Sequence, residues 1–498
     1  MRASRTGLIV WSAVLIVTAL RAFFDAKLPL TGDEAYYWEW SRRLAAGYVD
    51  HPPAVAFAIA AFAWLGRTPF AVRLPFVLCG LGAAIAAAGA ASALSGDRRA
   101  GWIAALAVLL APMNIVAFGM VSPDGPFALA WACSLYCAAR AFRSRAWPWF
   151  VLLGIALGLA LLSRFFAVAL VGGIVAAACS KRYRSALPGV AVSVAIACTV
   201  WSPFLFWNAS HEWISFTFAL VQRHALRIQL AGPFIIYVLG TIGFSPGLWI
   251  AATVVAVRTK EPLVTWTALP LCAALLALAL RETVEVYWFI GPFISLAAGL
   301  ALAFVRWDAG KQLRRGAWIF APAIVLTALV FFAGIVPGAV YAGVRHAGLR
   351  LNEGGPFELF TYPTLARDVR ALAQAHRADV MTDGYGFSSL IDFYGDLRPI
   401  LIGYDAQGQE ARRWFTDAGH PRLLLFLDKV PLPKRPDFTR QLSFACKRVT
   451  PGPVLSYPLA GNDLSVPPRR YYTTWCAGMK PDTIATLRWA NTPLGLQR

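Results

Sequence analysis

The sequence predicts an all-α polytopic membrane protein of about eleven transmembrane helices followed by a small C-terminal α/β domain. Three observations lead there. Of 498 residues, 58% are hydrophobic and only 14% charged, and the mean hydropathy of +0.57 is too high for a soluble enzyme. Apolar stretches close to the roughly 20 residues that a span requires recur through the first two thirds of the chain. After residue 338 the composition becomes that of a soluble domain.

In order, the expected spans are 7–28, 71–94, 101–119, 126–142, 148–163, 165–180, 187–206, 233–257, 263–280, 287–305 and 316–337. The fifth and sixth are short and closely joined. Cations gather in alternate gaps: Arg2 and Arg5; Arg98 and Arg99; Arg143 and Arg145; Lys181, Arg182 and Arg184; Arg258 and Lys260; Arg306, Lys311, Arg314 and Arg315. Such gaps face the cytoplasm, which puts the N-terminus inside and everything after about residue 338 outside. The net charge of +20 is explained by this pattern. A nucleic-acid partner would need a basic patch on a folded surface, and none is expected. A basic start and apolar core also suit a cleaved signal peptide, but no small-x-small site precedes Asp33, so the first segment is expected to remain as a helix.

Residues 29–70 form the first large outer loop, too polar and too Pro-broken to span, with a short amphipathic stretch from Pro53 to Leu65. A second, 207–232, carries His211, Glu212 and His224. The expected organisation is a membrane domain over 1–340 that includes both loops, and an outer soluble domain over 341–498. In the latter, a β-rich run at 423–427 alternates with a helical stretch at 365–376. Of eight cysteines, Cys79, Cys133, Cys137, Cys179, Cys198 and Cys272 lie in expected spans and act as small hydrophobes. Cys446 and Cys476 are the only pair outside, where an oxidising compartment favours a disulfide.

The first outer loop holds an adjacent acidic pair, Asp33 and Glu34, where a hydrocarbon span meets water. Acids at that depth are a functional-site hypothesis by default. Thr31 and Glu34 have capping-box spacing, which predicts a helix with Asp33 in its first turn. Tyr36, Tyr37, Trp38 and Trp40 then read as an interfacial aromatic belt. Tyr48 to Pro53, with Asp50 and His51, closes the loop. Asp124 sits in a Pro- and Gly-fixed turn, Arg164 lies in the hinge between the fifth and sixth spans, and Glu285 and Trp288 lie between the ninth and tenth. Each has a structural alternative: Asp33 as a dipole-stabilising acid, Asp124 as a turn former, Arg164 as a snorkelling cation, His51 as a loop-ordering residue and Glu285 as an interfacial acid. Gly154 and Gly158, four apart, predict close helix packing. There is no Walker loop, dinucleotide glycine motif or Cys/His cluster with zinc spacing. No cofactor is therefore expected, and a divalent ion on the paired acids stays open.

The Asp33-Glu34 pair, the Tyr48–Pro53 segment, the Ser122–Pro126 turn and the Glu285–Trp288 segment resemble bacterial GT-C glycosyltransferases of the protein-mannosyltransferase-like group. That group includes the aminoarabinose transferase of lipid A and the rhizobial galacturonosyltransferases. The resemblance covers residues 7 to 340 and extends more loosely to the outer domain through Asp383 to Leu390 and Phe393-Tyr394. It implies a GT-C fold and an inverting hexosyl- or pentosyltransferase of the inner membrane. Its donor would be a polyprenyl-phosphate-linked sugar and its acceptor an envelope lipid, glycan or protein, joined at the periplasmic face. Asp33 is implied to be the catalytic acid that engages the acceptor, and Asp124 the second acid. Arg164 stands where relatives commonly carry Lys near the donor phosphate, and this replacement keeps the charge but presents a planar fork. Glu34, Tyr37, His51, Glu285 and Trp288 complete the substrate-binding set.

The rival reading, a lipid-linked saccharide transporter, would be expected to place charges along a path through the spans. Here the span interiors are nearly charge-free and the acids sit at their outer ends, which favours surface chemistry. The topology has a direct test. Reporter fusions after residues 98, 184 and 312 should read as cytoplasmic, and fusions after 124, 220 and 400 as external. A cytoplasmic reading after residue 400 would overturn both the span count and the side assigned to the chemistry.

Overall fold

The computed structural model describes residues 2–219, 255–279, 284–306, 343, 346–347, 352–402, 423–459 and 468–479. The chain divides into two compact units, Met1–Asp25 with Leu44–Phe331, and Ala26–Arg43 with Phe332–Arg498. The expected spans 233–257 and 316–337 fall outside the described residues except for a turn at Val255–Thr259, as does His224.

The first unit is helical: α1 (Arg2–Asp25), α3 (Ala54–Ala60), α4 (Pro69–Ser95), α5 (Arg98–Leu110), α6 (Pro112–Gly119), α7 (Asp124–Ser144), α8 (Trp147–Leu161), α9 (Ala167–Cys179), α10 (Leu187–Ser210), α11 (Ile214–Thr217), α12 (Pro262–Leu278) and α13 (Ile290–Arg306). Among the described residues, four stretches are long and apolar enough to cross a membrane: Arg5–Asp25, Pro69–Ser95, Arg184–Ser210 and Tyr287–Val305. α4 packs on α5 and α7, with Ala83, Ala84, Ala87, Ala90 and Ala91 wholly buried. Small side chains let helices approach closely where lipid leaves no hydrophobic drive between them. The Gly154/Gly158 pair does the same for α8 against α10: a Cβ at Gly154 would lie 2.7 Å from that of Ile196, and one at Gly158 would strike Val200.

Two details depart from the sequence expectation. The span expected at 101–119 is broken into α5 and α6, because Ala111, pushed out of helical space by Pro112, is extended at ψ 132°. Asn114 Nδ2 donates to the carbonyl of Val108 across the break. The span interiors are also not wholly free of charge. Arg21 is buried and donates to the carbonyl of Leu109 at 3.3 Å.

The second unit contains α2 (Gly32–Ser41), α14 (Tyr362–His376), α15 (Tyr385–Gly395), α16 (Pro436–Ala445) and a five-stranded sheet. Its strands are β1 (Asp379–Asp383), β2 (Ile400–Ile402), β3 (Leu423–Asp428), β4 (Cys446–Tyr457) and β5 (Arg469–Met479), ordered β2-β1-β3-β5-β4. β1 runs parallel to β2 and β3, while β5 is antiparallel to β3 and β4. β3 is apolar on both faces, and Leu424 to Leu427 are at most 1% exposed, as expected of a central strand covered on both sides. Cys446 and Cys476 are joined as a disulfide, with Cα atoms 5.6 Å apart and a separation of 30 residues. Closing a loop of that length contributes roughly 3 to 4 kcal/mol in the chain-entropy account.

Residues 26–43, from the end of the first expected span into the loop expected over 29–70, belong to this unit. The aromatic residues of α2 are correspondingly not a lipid-facing belt. Tyr36, Tyr37, Trp38 and Trp40 are all buried, with Trp38 edge-on to Phe393 at 4.9 Å and Tyr36 beside Tyr385 at 4.7 Å. An ion pair of 3.0 Å between Arg42 and Asp392 and a bond from Leu30 N to Tyr394 Oη at 2.8 Å fasten α2 to α15.

Two carboxyl groups of this unit are raised to about 7. Burial is the main cause for Glu39, with the Asp392 charge adding to it. Burial is again the main cause for Asp428, followed by the Asp383 charge. Folded-state values above the unfolded ones mean that the native state holds extra protons between about pH 4 and 7. These groups therefore stabilise the unit at low pH, and that stability is lost as pH rises through 7, by up to about 1.4 kcal/mol per pH unit for each group. Hydrogen-exchange protection of β1 and β3, corrected for intrinsic rates, should fall between pH 5 and 7.5. Protection that rises over that range would reject the assignment.

Candidate active site

The turn before α7 places Asp124 as the first residue of that helix. Pro123 precedes it at φ −59° and the Asp124 amide meets Ser122 Oγ at 3.3 Å. The carboxylate is 1% exposed and would be costly there alone. It is met by Arg164, whose Nη1 lies 2.8 Å from Oδ1 and whose side chain is 6% exposed. Arg164 occupies the tight link between α8 and α9: its amide bonds to the carbonyl of Ala160 at 3.0 Å and its carbonyl accepts from Ala167 N at 3.1 Å. The guanidinium also stands 5.4 Å from the ring of Phe166 and 5.7 Å from that of Trp288. Such contacts suit Arg better than Lys, since the planar cation is weakly hydrated and stacks on aromatic faces.

Arg164 lines a cavity of about 270 Å³ together with Asp50, His51 and Trp288, and with aromatic walls from Phe165, Phe166, Trp201 and Phe216. The segment bearing Asp50 and His51 is tied to the same hinge, because Ala54 N donates to the carbonyl of Leu162 at 3.0 Å. It is also tied to α10 and α11, where Ser215 Oγ donates to the carbonyl of Tyr48 at 2.7 Å and Ser215 N to Asn208 Oδ1 at 3.2 Å. A pocket with a fixed cation, a neighbouring imidazole and aromatic sides is suited to an anionic group attached to a ring-shaped or apolar ligand.

Of the expected site residues, Asp124, Arg164, His51 and Trp288 thus come together. Glu285 does not join them: it is exposed, and its carbonyl accepts from Trp288 N at 3.0 Å at the start of the turn that carries Trp288. Arg73, in α4, is buried and donates to the carbonyl of Asp25 at 2.6 Å. Asp33, Glu34 and Tyr37 belong to the second unit. Glu34 is wholly buried and closes the capping box, its Oε2 accepting from Thr31 N at 2.8 Å while Thr31 Oγ1 accepts from Glu34 N at 3.3 Å. Tyr37 is buried edge-on to Trp40 at 5.0 Å. Asp33 is exposed, and its Oδ1 accepts from Tyr385 Oη at 2.8 Å. Sequence reasoning did not single out Trp201, Phe165 or Phe216, since an aromatic residue in an apolar run gives the same signal whether it faces lipid or a cavity. Among the described residues, no group of three or more His, Cys, Asp or Glu side chains is placed to hold a metal ion.

Residues 50–207 match the family model described as dolichyl-phosphate-mannose-protein mannosyltransferase, a stretch that includes Asp50, His51, Asp124 and Arg164. The chain is 26% identical over 325 residues to the lipid A galacturonosyltransferase RgtD of Rhizobium johnstonii, covering 62% of this chain and 68% of that protein. Its fold is similar to that of ArnT from Cupriavidus metallidurans bound to undecaprenyl phosphate, with a TM-score of 0.63 and 17% identity over 98% of this chain and 99% of that one. The apo form of the same protein gives a TM-score of 0.60 at 17% identity, covering 98% and 100%.

The buried pair has a measurable signature. Arg164→Ala leaves the Asp124 charge uncompensated and should destabilise the first unit by roughly 3 to 5 kcal/mol. Replacing both partners by apolar residues, Asp124→Leu with Arg164→Met, should restore most of the loss. Thermal unfolding of the full chain in detergent reads both, and a double variant as unstable as Arg164→Ala would show that the pair is not the source.

Proposed function

We propose that the chain is a GT-C glycosyltransferase of the protein-mannosyltransferase-like group, a reading supported by its similarity to that family model over residues 50–207 and to a lipid A galacturonosyltransferase, and that it transfers one sugar from a polyprenyl-phosphate donor to an envelope acceptor, with inversion, at the periplasmic face of the inner membrane. The N-terminus is cytoplasmic in this reading, and the chain beyond about residue 340 lies outside. The likeness to a lipid A galacturonosyltransferase favours lipid A or its core sugars as the acceptor, among the envelope lipids, glycans and proteins that the chemistry allows.

The observation that carries the proposal is the buried Asp124–Arg164 pair on the wall of an aromatic cavity that also holds His51. Transfer breaks the bond between the anomeric carbon and the phosphate oxygen and forms one to an acceptor hydroxyl oxygen. The departing polyprenyl phosphate keeps the electron pair, so it needs cations aimed at its oxygens. Arg164 supplies one, with Asp124 fixing the orientation of the fork, and His51 is the second donor. Trp288 and Phe166 flank the sugar or its phosphate. The acceptor hydroxyl loses its proton to Asp33, which acts as general base and orients the nucleophile.

In membrane vesicles supplied with lipid extract from the native cells, product formation should fall at least about 100-fold in Asp33→Asn, the scale of losing a general base, with the chain inserted normally. Arg164→Lys should raise the apparent KM for the polyprenyl-phosphate sugar and leave acceptor affinity unchanged. Near-normal turnover by Asp33→Asn would remove it from the chemistry, and a selectively weakened acceptor in Arg164→Lys would move that residue to the acceptor side.

A further inference from the structure

Asp33 stands on the surface of the second unit, in the first turn of α2, where an acid commonly serves the helix itself. Here that duty is already discharged. Thr31 and Glu34 satisfy each other's backbone donors reciprocally, and the helix start is capped without the Asp33 carboxylate. Among the described residues, that carboxylate is met from elsewhere in the chain, 352 residues on, by the hydroxyl of Tyr385, which donates to Oδ1 at 2.8 Å.

The local architecture around this bond is closely packed. β1 ends at Asp383, Gly384 turns the chain at φ +69°, and Tyr385 opens α15. The next residue, Gly386, meets Gly32, the residue before Asp33, backbone to backbone: a Cβ on Gly32 would lie 2.9 Å from the Cα of Gly386, and one on Gly386 3.0 Å from the Cα of Gly32. Nothing larger fits at either position without separating the two helix starts. The Tyr385 ring is also held by Tyr36, one turn along α2 from Asp33, at 4.7 Å between centroids. Its hydroxyl is therefore aimed at Asp33 by two glycines and an aromatic neighbour.

We infer that Tyr385 is a positioning residue for Asp33: it donates a hydrogen bond to one carboxylate oxygen, fixes the plane of the group and leaves the second oxygen directed to the acceptor hydroxyl. This rests on Asp33 being the base of the proposed reaction. A carboxylate on an exposed helix start otherwise samples several rotamers, and a general base works only within hydrogen-bond reach of its proton in one of them.

Tyr385→Phe keeps the ring against Tyr36 and removes only the donor. With both substrates saturating in the vesicle assay, its rate should fall roughly 10- to 100-fold, the size expected for a hydrogen bond to a charged group. In an Asp33→Ala background the same substitution should cause no further loss, because the group it positions is gone. Gly386→Ala, which keeps the hydroxyl but moves it, should reproduce the loss. Thermal unfolding of Tyr385→Phe should match the parent, which a merely structural role would not allow alongside a lower rate. An unchanged rate in Tyr385→Phe overturns the inference while Asp33 stands, provided that Asp33→Ala is inactive. An equal loss in both backgrounds also overturns it, by placing the effect of Tyr385 elsewhere. Full activity in Asp33→Ala removes the base assignment itself.

Discussion

A single buried ion pair constrains much of the membrane unit. Neither Asp124 nor Arg164 is tolerable alone in its surroundings, since an uncompensated charge there costs several kcal/mol. Their contact fixes the start of α7 against the hinge between α8 and α9. The backbone bond from Ala54 to Leu162 adds the Asp50–His51 segment, and the guanidinium brings in the turn carrying Trp288. Four stretches distant in sequence are thereby indexed to one another. Their common product is a pocket whose cation is held by a carboxylate and two aromatic rings.

The second unit makes a different use of neighbouring acids. Successive residues on a helix point about 100° apart, so Glu34 turns inward to the cap while Asp33 turns outward to solvent and Tyr385. Two side chains of nearly the same chemistry are given opposite surroundings by helix geometry alone, one buried in the cap and one exposed. The close glycine contact beneath them sets that geometry without adding any polar group of its own.

Features set by short-range rules were legible in the sequence. The capping box needs only Thr31 and Glu34 at their spacing, the Gly154/Gly158 contact only four residues, and the Cys446–Cys476 pair only the exclusion of every other cysteine from the outer compartment. What was missed depends on tertiary partners. Asp124 and Arg164 were each read as candidates, but their direct pairing across 40 positions carries no local signal. The aromatic residues of α2 have the composition of a membrane belt, and only the presence of α15 makes them a packed interior face. Pro112 was visible, yet hydropathy averaged across it and merged two helices into one expected span.

The second unit is assembled from two separate pieces of chain, residues 26–43 and the portion beyond 331. α2 is therefore synthesised more than 300 residues ahead of α15, its partner. At about 5 to 20 residues per second, that interval lasts on the order of tens of seconds. Throughout it, the faces of Tyr36, Tyr37, Trp38 and Trp40 that will become interior have no α15 to cover them. Biogenesis thus has an obligatory order: the membrane helices between the two pieces are made while α2 waits, and neither a nascent chain stalled before α15 nor an isolated C-terminal fragment can complete this unit.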